Sequence, residues 1–154
     1  MGHTNKPIRF ERKLLNADAF RSLGKTALLV YLDFLAMRKM QRKRKSGRED
    51  TWIIINNGEL EYPYSYAEKK GISRSRFMRA LDELVGKGFI DIAHSGAGGV
   101  KGDKSKYGIS NRWEKWGTAD FVQKFRPRDT RKGRGFLPGN KHWRKAKKHR
   151  CQKR

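Results

Sequence analysis

Cysteine is nearly missing from this chain: Cys151 stands alone among 154 residues. No intramolecular disulfide can form, and a reducing cytoplasm is the expected setting. Acids are scarce too, with 15 Asp and Glu against 38 Lys and Arg, a formal net charge of +23. A surplus of that size speaks of partners rather than of fold, and nucleic acid or an anionic membrane surface are the leading polyanions. Long apolar runs are absent. The most apolar stretch, "ALLVYLDFLAM" (Ala27–Met37), carries Asp33 and is about half the length of a membrane-spanning helix. The opening "MGHTNKPIRFERK" has no apolar segment of the kind a secretory leader needs. Gly2 does not read as a myristoylation site, because Lys6 stands where Ser or Thr is required. No membrane partner is expected.

The positive charge is uneven. From Arg126 the sequence runs "RPRDTRKGRGFLPGNKHWRKAKKHRCQKR", with Asp129 its single acid. About half of the net charge lies in this stretch, which is too rich in Gly, Pro and cations to fold alone. The chain therefore divides into a folded domain, residues 8–125, and a basic C-terminal arm, residues 126–154. A domain of that length buries a hydrophobic centre without disulfide or metal staples.

Within the domain, "NADAFRSLGK" predicts a short helix capped by Asn16. A long helix comes next over 25–41, with Leu28, Tyr31, Leu32 and Leu35 on one face and Leu29, Val30, Phe34 and Met37 on the others. Apolar nearly all round, it needs cover on several sides, from the rest of the domain and from a second subunit in a homodimer. Trp52–Ile55 is β-branched and aromatic, and Asn57-Gly58 is a strong hairpin signal. "SYAEKKG" (Ser65–Gly71) predicts a short helix closed by glycine. Ser73 then caps a second helix reaching Gly86, joined to the first by "GIS", a helix-turn-helix spacing. Strands at Phe89–Ser95 and Ser105–Ser110 flank a glycine-rich tip, residues 96–104. The expected class is α+β, mainly α with a small sheet.

The second helix of the pair carries the chemistry. Phe77, Leu81, Leu84 and Val85 recur at i, i+4, i+7 and i+8, an inward stripe. Ser75, Arg76 and Arg79 fall opposite it, and Arg74 projects from the first turn. Cations at a helix start sit badly with the helix dipole, which prefers acids there. An external anion resolves the conflict. Arginine's planar fork suits guanine O6/N7 or phosphate, and serine hydroxyls serve either.

"GISRSRFMRALDELVGKGFIDI" resembles the recognition-helix and first wing-strand segment of bacterial winged helix-turn-helix DNA-binding proteins. These include regulators of the MarR and GntR kinds and the initiator domains of plasmid and phage replication proteins. The resemblance covers residues 23–110 and leaves "NRWEKWGTADF" and the basic arm unmatched. It implies that Ser73, Arg74, Ser75, Arg76 and Arg79 enter the major groove or grip its phosphates. It also implies that Lys101, Lys104 and Lys106 belong to a wing lying over the adjacent backbone.

Other chemistries find little support. His142, His149 and Cys151 lack a fourth metal ligand and a paired cysteine. Asp91 and His94 sit three apart on one strand without a nucleophile, and "GAGGVKG" lacks the Lys-Ser/Thr ending of a phosphate-binding loop. No catalytic residue, metal, cofactor or small-molecule ligand is expected. Trp113 and Trp116 read as packing, whereas Phe136 and Trp143 in the arm could stack on bases or dock on the domain. The expected function is sequence-specific binding of double-stranded DNA in transcription regulation, with Ser73–Gly86 as recognition helix. Replication initiation is the alternative within the class, and structural RNA binding the alternative outside it. An A-form major groove is too narrow for the Ser73 helix, which weighs against RNA. A domain whose arm binds an acidic protein is a further option.

Overall fold

The computed structural model describes residues 8–43, 51–96 and 103–127. Among them stand five α-helices: α1 (Arg12–Asn16), α2 (Asp18–Arg21), α3 (Lys25–Met37), α4 (Tyr64–Lys69) and α5 (Arg74–Gly86). Five strands form two antiparallel sheets: β1 (Met40–Lys43) pairs with β2 (Thr51–Ile54), while β3 (Leu60–Glu61), β5 (Lys106–Ile109) and β4 (Ile90–His94) lie in the order β3-β5-β4. A 3₁₀ turn, Arg112–Lys115, comes after β5. The fold is mixed α+β, as its sequence pattern predicts. No helix among the described residues is long and apolar enough to cross a membrane.

The predicted stripe of α5 is its buried side. Phe77, Leu81, Leu84 and Val85 are at most 2% exposed, and Ala80 joins them. They pack on α3, whose Ala27, Val30, Tyr31, Phe34 and Leu35 are buried in turn. Aromatic rings knit this centre to the sheet. Phe34 meets Tyr62 and Tyr107 edge-on at 5.3 Å, and Tyr62 lies 4.7 Å from Phe77. Trp113 stacks nearly parallel on Phe89 at 6.0 Å, the packing role expected of it. The domain itself covers most of α3, leaving Leu29 about half exposed.

Three sequence expectations shift. The long helix stops at Met37 rather than continuing to Gln41, because the Asn56 amide accepts from Lys39 N–H and donates to the Met37 carbonyl. The chain then turns into β1, which is paired along its length with β2. Asn57-Gly58 does form a turn, with Gly58 at φ +87°, but it joins strands of different sheets. The Asn57 side chain bonds both the N–H and the carbonyl of Ile109, tying the turn to the end of β5. Finally, Asn16 ends α1 instead of capping the next helix, and Ala17 occupies that capping position.

One side chain locks the C-terminal part of the domain. Arg112 donates to Asp91 Oδ1 from Nε (3.1 Å) and Nη2 (2.8 Å), to the Val85 carbonyl from Nη2 (3.1 Å), and to the Val122 carbonyl from Nη1 (2.8 Å). Lys124 Nζ reaches the same Asp91 oxygen at 3.0 Å. Burial alone would raise the Asp91 pKa, but bonds from Arg112, Lys124 and Ser110 outweigh it and hold the carboxyl below its ordinary value.

Two measurements check this packing. Leu81→Ala removes a side chain that is 1% exposed, and should cost about 2–5 kcal/mol of unfolding free energy in a denaturant titration. A melt like the parent's would mean that α5 is phased otherwise. Because the Asp91 pKa is depressed on folding, its stabilisation is present above the ordinary carboxylate pKa of about 3.9 and fades as pH falls through the folded value. Asp91→Asn should therefore melt below the parent at neutral pH. The gap should close as the solution is acidified below about pH 4.

Candidate nucleic-acid interface

The turn between α4 and α5 is built from backbone bonds. Gly71 N–H donates to the Glu68 carbonyl (2.9 Å) and Ile72 N–H to the Ala67 carbonyl (3.0 Å), the paired closure of a Schellman motif. It needs a left-handed residue, and Gly71 sits at φ +75°. Ile72 tucks under the turn, 8% exposed, and Ser73 follows as the N-cap of α5. The far end of α5 closes in the same way. Phe89 N–H bonds the Leu84 carbonyl and Gly88 N–H the Val85 carbonyl, with Gly88 at φ +82°. A Cβ at Gly88 would also lie 2.8 Å from Trp113 N, so glycine is required there twice over.

A polar clamp sets the α4 end against α3. Tyr62 donates its hydroxyl proton to Asp33 Oδ2 at 2.7 Å, and Lys70 pairs with the other Asp33 oxygen. Burial, and then the bond to Asp33, push the Tyr62 pKa far above its ordinary value. Lys70 also lies 4.8 Å over the Tyr66 ring. Its charge is therefore turned back onto the domain.

On the outward side of α5, Ser73, Arg74, Ser75, Arg76 and Arg79 are all exposed. Arg76 and Arg79 make no ion pair with any described residue. The Arg74 guanidinium rests 4.8 Å over the Tyr64 ring, which holds it toward the start of the helix. Ser73 occupies the N-cap position with extended backbone, but its hydroxyl bonds no N–H. It lies instead 3.4 Å from the Ser75 hydroxyl. The expected side-chain cap is thus absent, and both hydroxyls face outward.

The acids of the same face come later and carry their own cations. Glu83 accepts from Lys87 Nζ at 2.8 Å and from Gly24 N–H at 3.0 Å. Asp82 accepts from Arg126 through Nε at 2.7 Å and Nη2 at 3.3 Å. The N-terminal half of the outward face is left with uncompensated positive charge.

The wing candidates differ. Lys101 and most of the glycine-rich tip lie outside the described residues, as do the arm from position 128 onward, Phe136, Trp143, His142, His149 and Cys151. Lys104 pairs with Glu61 at 3.0 Å and Lys106 with Glu59, both in the sheet's own β3 region. The bond from Glu59 raises the Lys106 pKa. Both pairs are exposed and screened by solvent, so a phosphate could take either lysine from its glutamate at small cost. Asp91 and His94 turn to separate partners, Arg112 and Asp103. Among the described residues no group of three His, Cys, Asp or Glu side chains could hold a metal ion.

Residue spacing did not reveal Arg112 and Arg126. Each is one cation among many in sequence, and only the partners at Asp91 and Asp82 distinguish them. No protein-family model matches the chain, and no curated protein or solved structure is significantly similar to it.

The geometry of Ser73 generates its own prediction. Since its hydroxyl caps nothing, Ser73→Ala should change unfolding free energy by no more than about 0.5 kcal/mol, not the ~1 kcal/mol of a lost cap. A thermal melt decides between the two.

Proposed function

We propose that this protein binds double-stranded DNA through a winged helix-turn-helix, with Ser73–Gly86 as the recognition helix and a role in transcription regulation. The observation that carries the reading is the outward side of α5. Ser75, Arg76 and Arg79 are exposed there without internal ion partners, on a helix whose opposite side is locked into the core. Alpha5 has 13 residues, about 20 Å of helix, and a B-form major groove is ~12 Å wide, enough to admit it.

The architecture supports the same reading. Alpha4, the tight Gly71 turn and α5 form the helix pair, and α3 packs against α5. The strand order β3-β5-β4 gives a small sheet in which β4 and β5 form the antiparallel pair that a wing reading calls for. The β1–β2 ribbon between α3 and β3 is an addition to that plan. Non-enzymatic binding fits this surface, with the arm adding affinity through phosphate neutralisation and counterion release.

Selection of bound duplexes from a random pool tests the reading directly. A two-fold symmetric motif would further indicate that the protein binds as a dimer. Arg76→Ala and Arg79→Ala should each weaken the selected duplex by about 1–3 kcal/mol if they reach base edges, with melting temperatures unchanged. Full affinity and unaltered sequence preference in both variants would remove the recognition-helix assignment. Preference for folded RNA over every duplex would remove the DNA reading itself.

A further inference from the structure

Away from the helix pair, the β1–β2 ribbon stands with both faces open. Side chains alternate along a strand, and the register Met40↔Ile54 and Arg42↔Trp52 puts these four on one face, with Gln41, Lys43 and Ile53 on the other. Every residue of β1 is exposed. Trp52 is 43% exposed on the first face and Ile53 41% on the second. Ile55, whose N–H donates to the Lys39 carbonyl, continues the second face at 56%. Among the described side chains neither face holds a buried residue, Ile54 being half-buried. A two-stranded ribbon of that kind is marginal in water, and apolar groups clustered on it mark a surface that another molecule covers.

Charge decides the occupant. From Arg38 to Ile55 the sequence holds seven Lys and Arg against two acids, Glu49 and Asp50. The segment before α1 adds a further cation. Arg9 lays its guanidinium 4.8 Å over the Trp52 ring, and Arg38 Nη2 donates to the Arg9 carbonyl. Like charge turns away a second copy, whereas a polyanion is drawn in. Single-stranded nucleic acid brings phosphates for the cations and unpaired bases that stack on aromatic rings and guanidinium planes. A duplex brings the phosphates, but its grooves show only base edges. The ribbon is also rooted apart from the wing candidates. Asn56 and Asn57, at its base, bond Met37 and Ile109. Ile109 pairs with Ile90, just past α5, while Lys106 begins β5 at its other end.

We propose that the β1–β2 ribbon is a second nucleic-acid surface, one that takes an unpaired strand. A base stacks against the Trp52–Arg9 pair, and the flanking phosphates are met from β1, where Arg42 stands across from Trp52. Stacking of this kind tolerates any base, because every base has a flat face. The ribbon therefore adds a contact for strand state and not for sequence. It goes beyond the duplex reading and does not need it, since α5 and the ribbon are separate surfaces.

The test uses the full chain and a single-stranded oligothymidylate carrying iodouracil, in deoxy and ribo forms. Irradiation joins iodouracil to an aromatic ring stacked on it, and mass spectrometry of the digest locates the joint. Crosslinks should fall on Trp52, and the form that gives them tells DNA from RNA. Trp52→Leu, which keeps an apolar side chain, should weaken strand binding by about five- to a hundred-fold, the value of one base stacked on an aromatic ring. Trp52→Phe should restore most of that loss, and both variants should melt like the parent because the ring is exposed. The Arg76→Ala, Arg79→Ala double variant should keep the Trp52 crosslink. Parent-level strand binding by Trp52→Leu, or crosslinks confined to other residues, would overturn the proposal. So would a Trp52→Leu variant that holds the strand but loses a dimer seen by sedimentation or binding to phosphatidylserine vesicles. A second copy or a membrane would then be the occupant. A parent that selects no duplex removes the α5 reading and leaves a Trp52 crosslink standing.

Discussion

The rotational setting of α5 governs everything else on this surface. A helix turns about 100° per residue, so its outward side is whatever the packing of its inward side leaves over. Phe77, Ala80, Leu81, Leu84 and Val85 are driven into contact with α3 and the aromatic centre by burial alone. At roughly 1.5–3 kcal/mol for each large side chain buried, a rotation exposing two of them would cost more than any surface arginine could return. Arg76 and Arg79 are outside because Phe77 and Leu81 are inside. Their exposure is a consequence of the core and requires no preference of their own.

Rotation alone does not fix where the helix begins. That is decided by the two Schellman closures, at Gly71 and Gly88, which bracket α5 between residues that must adopt left-handed backbone. The Asp33–Tyr62–Lys70 clamp then ties the α4 end to α3, and Arg112 ties the far end of α5 to β4 and to Val122. Polar bonds of this kind add little net stability each. Their effect is positional: four exposed residues in the first turns of α5 are presented by a frame held at both ends.

Charge on this frame is sorted rather than merely abundant. The acids near α5 each have a partner, Asp82 in Arg126 and Glu83 in Lys87. So do the lysines of the β5 side, Lys104 and Lys106. Positive charge at the start of α5 is left open, where the helix dipole makes it least comfortable. An anionic partner placed there would relieve both the unpaired guanidiniums and the dipole.

The amino-acid sequence by itself determined the helix pair, the phase of α5, the glycine that closes α4 and the two strands after α5. These rest on local periodicity and on backbone freedom, which neighbours in sequence are sufficient to specify. Its reading of α3 ran too far and its hairpin at Asn57-Gly58 was misplaced. Both depended on side chains, Asn56 and Asn57, that spend their hydrogen bonds on Met37, Lys39 and Ile109. The tertiary structure alone decided which cations are free. Arg126 finds Asp82 across 44 residues, and Lys104 finds Glu61 across 43. In a chain with cations nearly everywhere, a charge gains or loses its role from the carboxylate that folding brings beside it, and that distance is not written in local spacing.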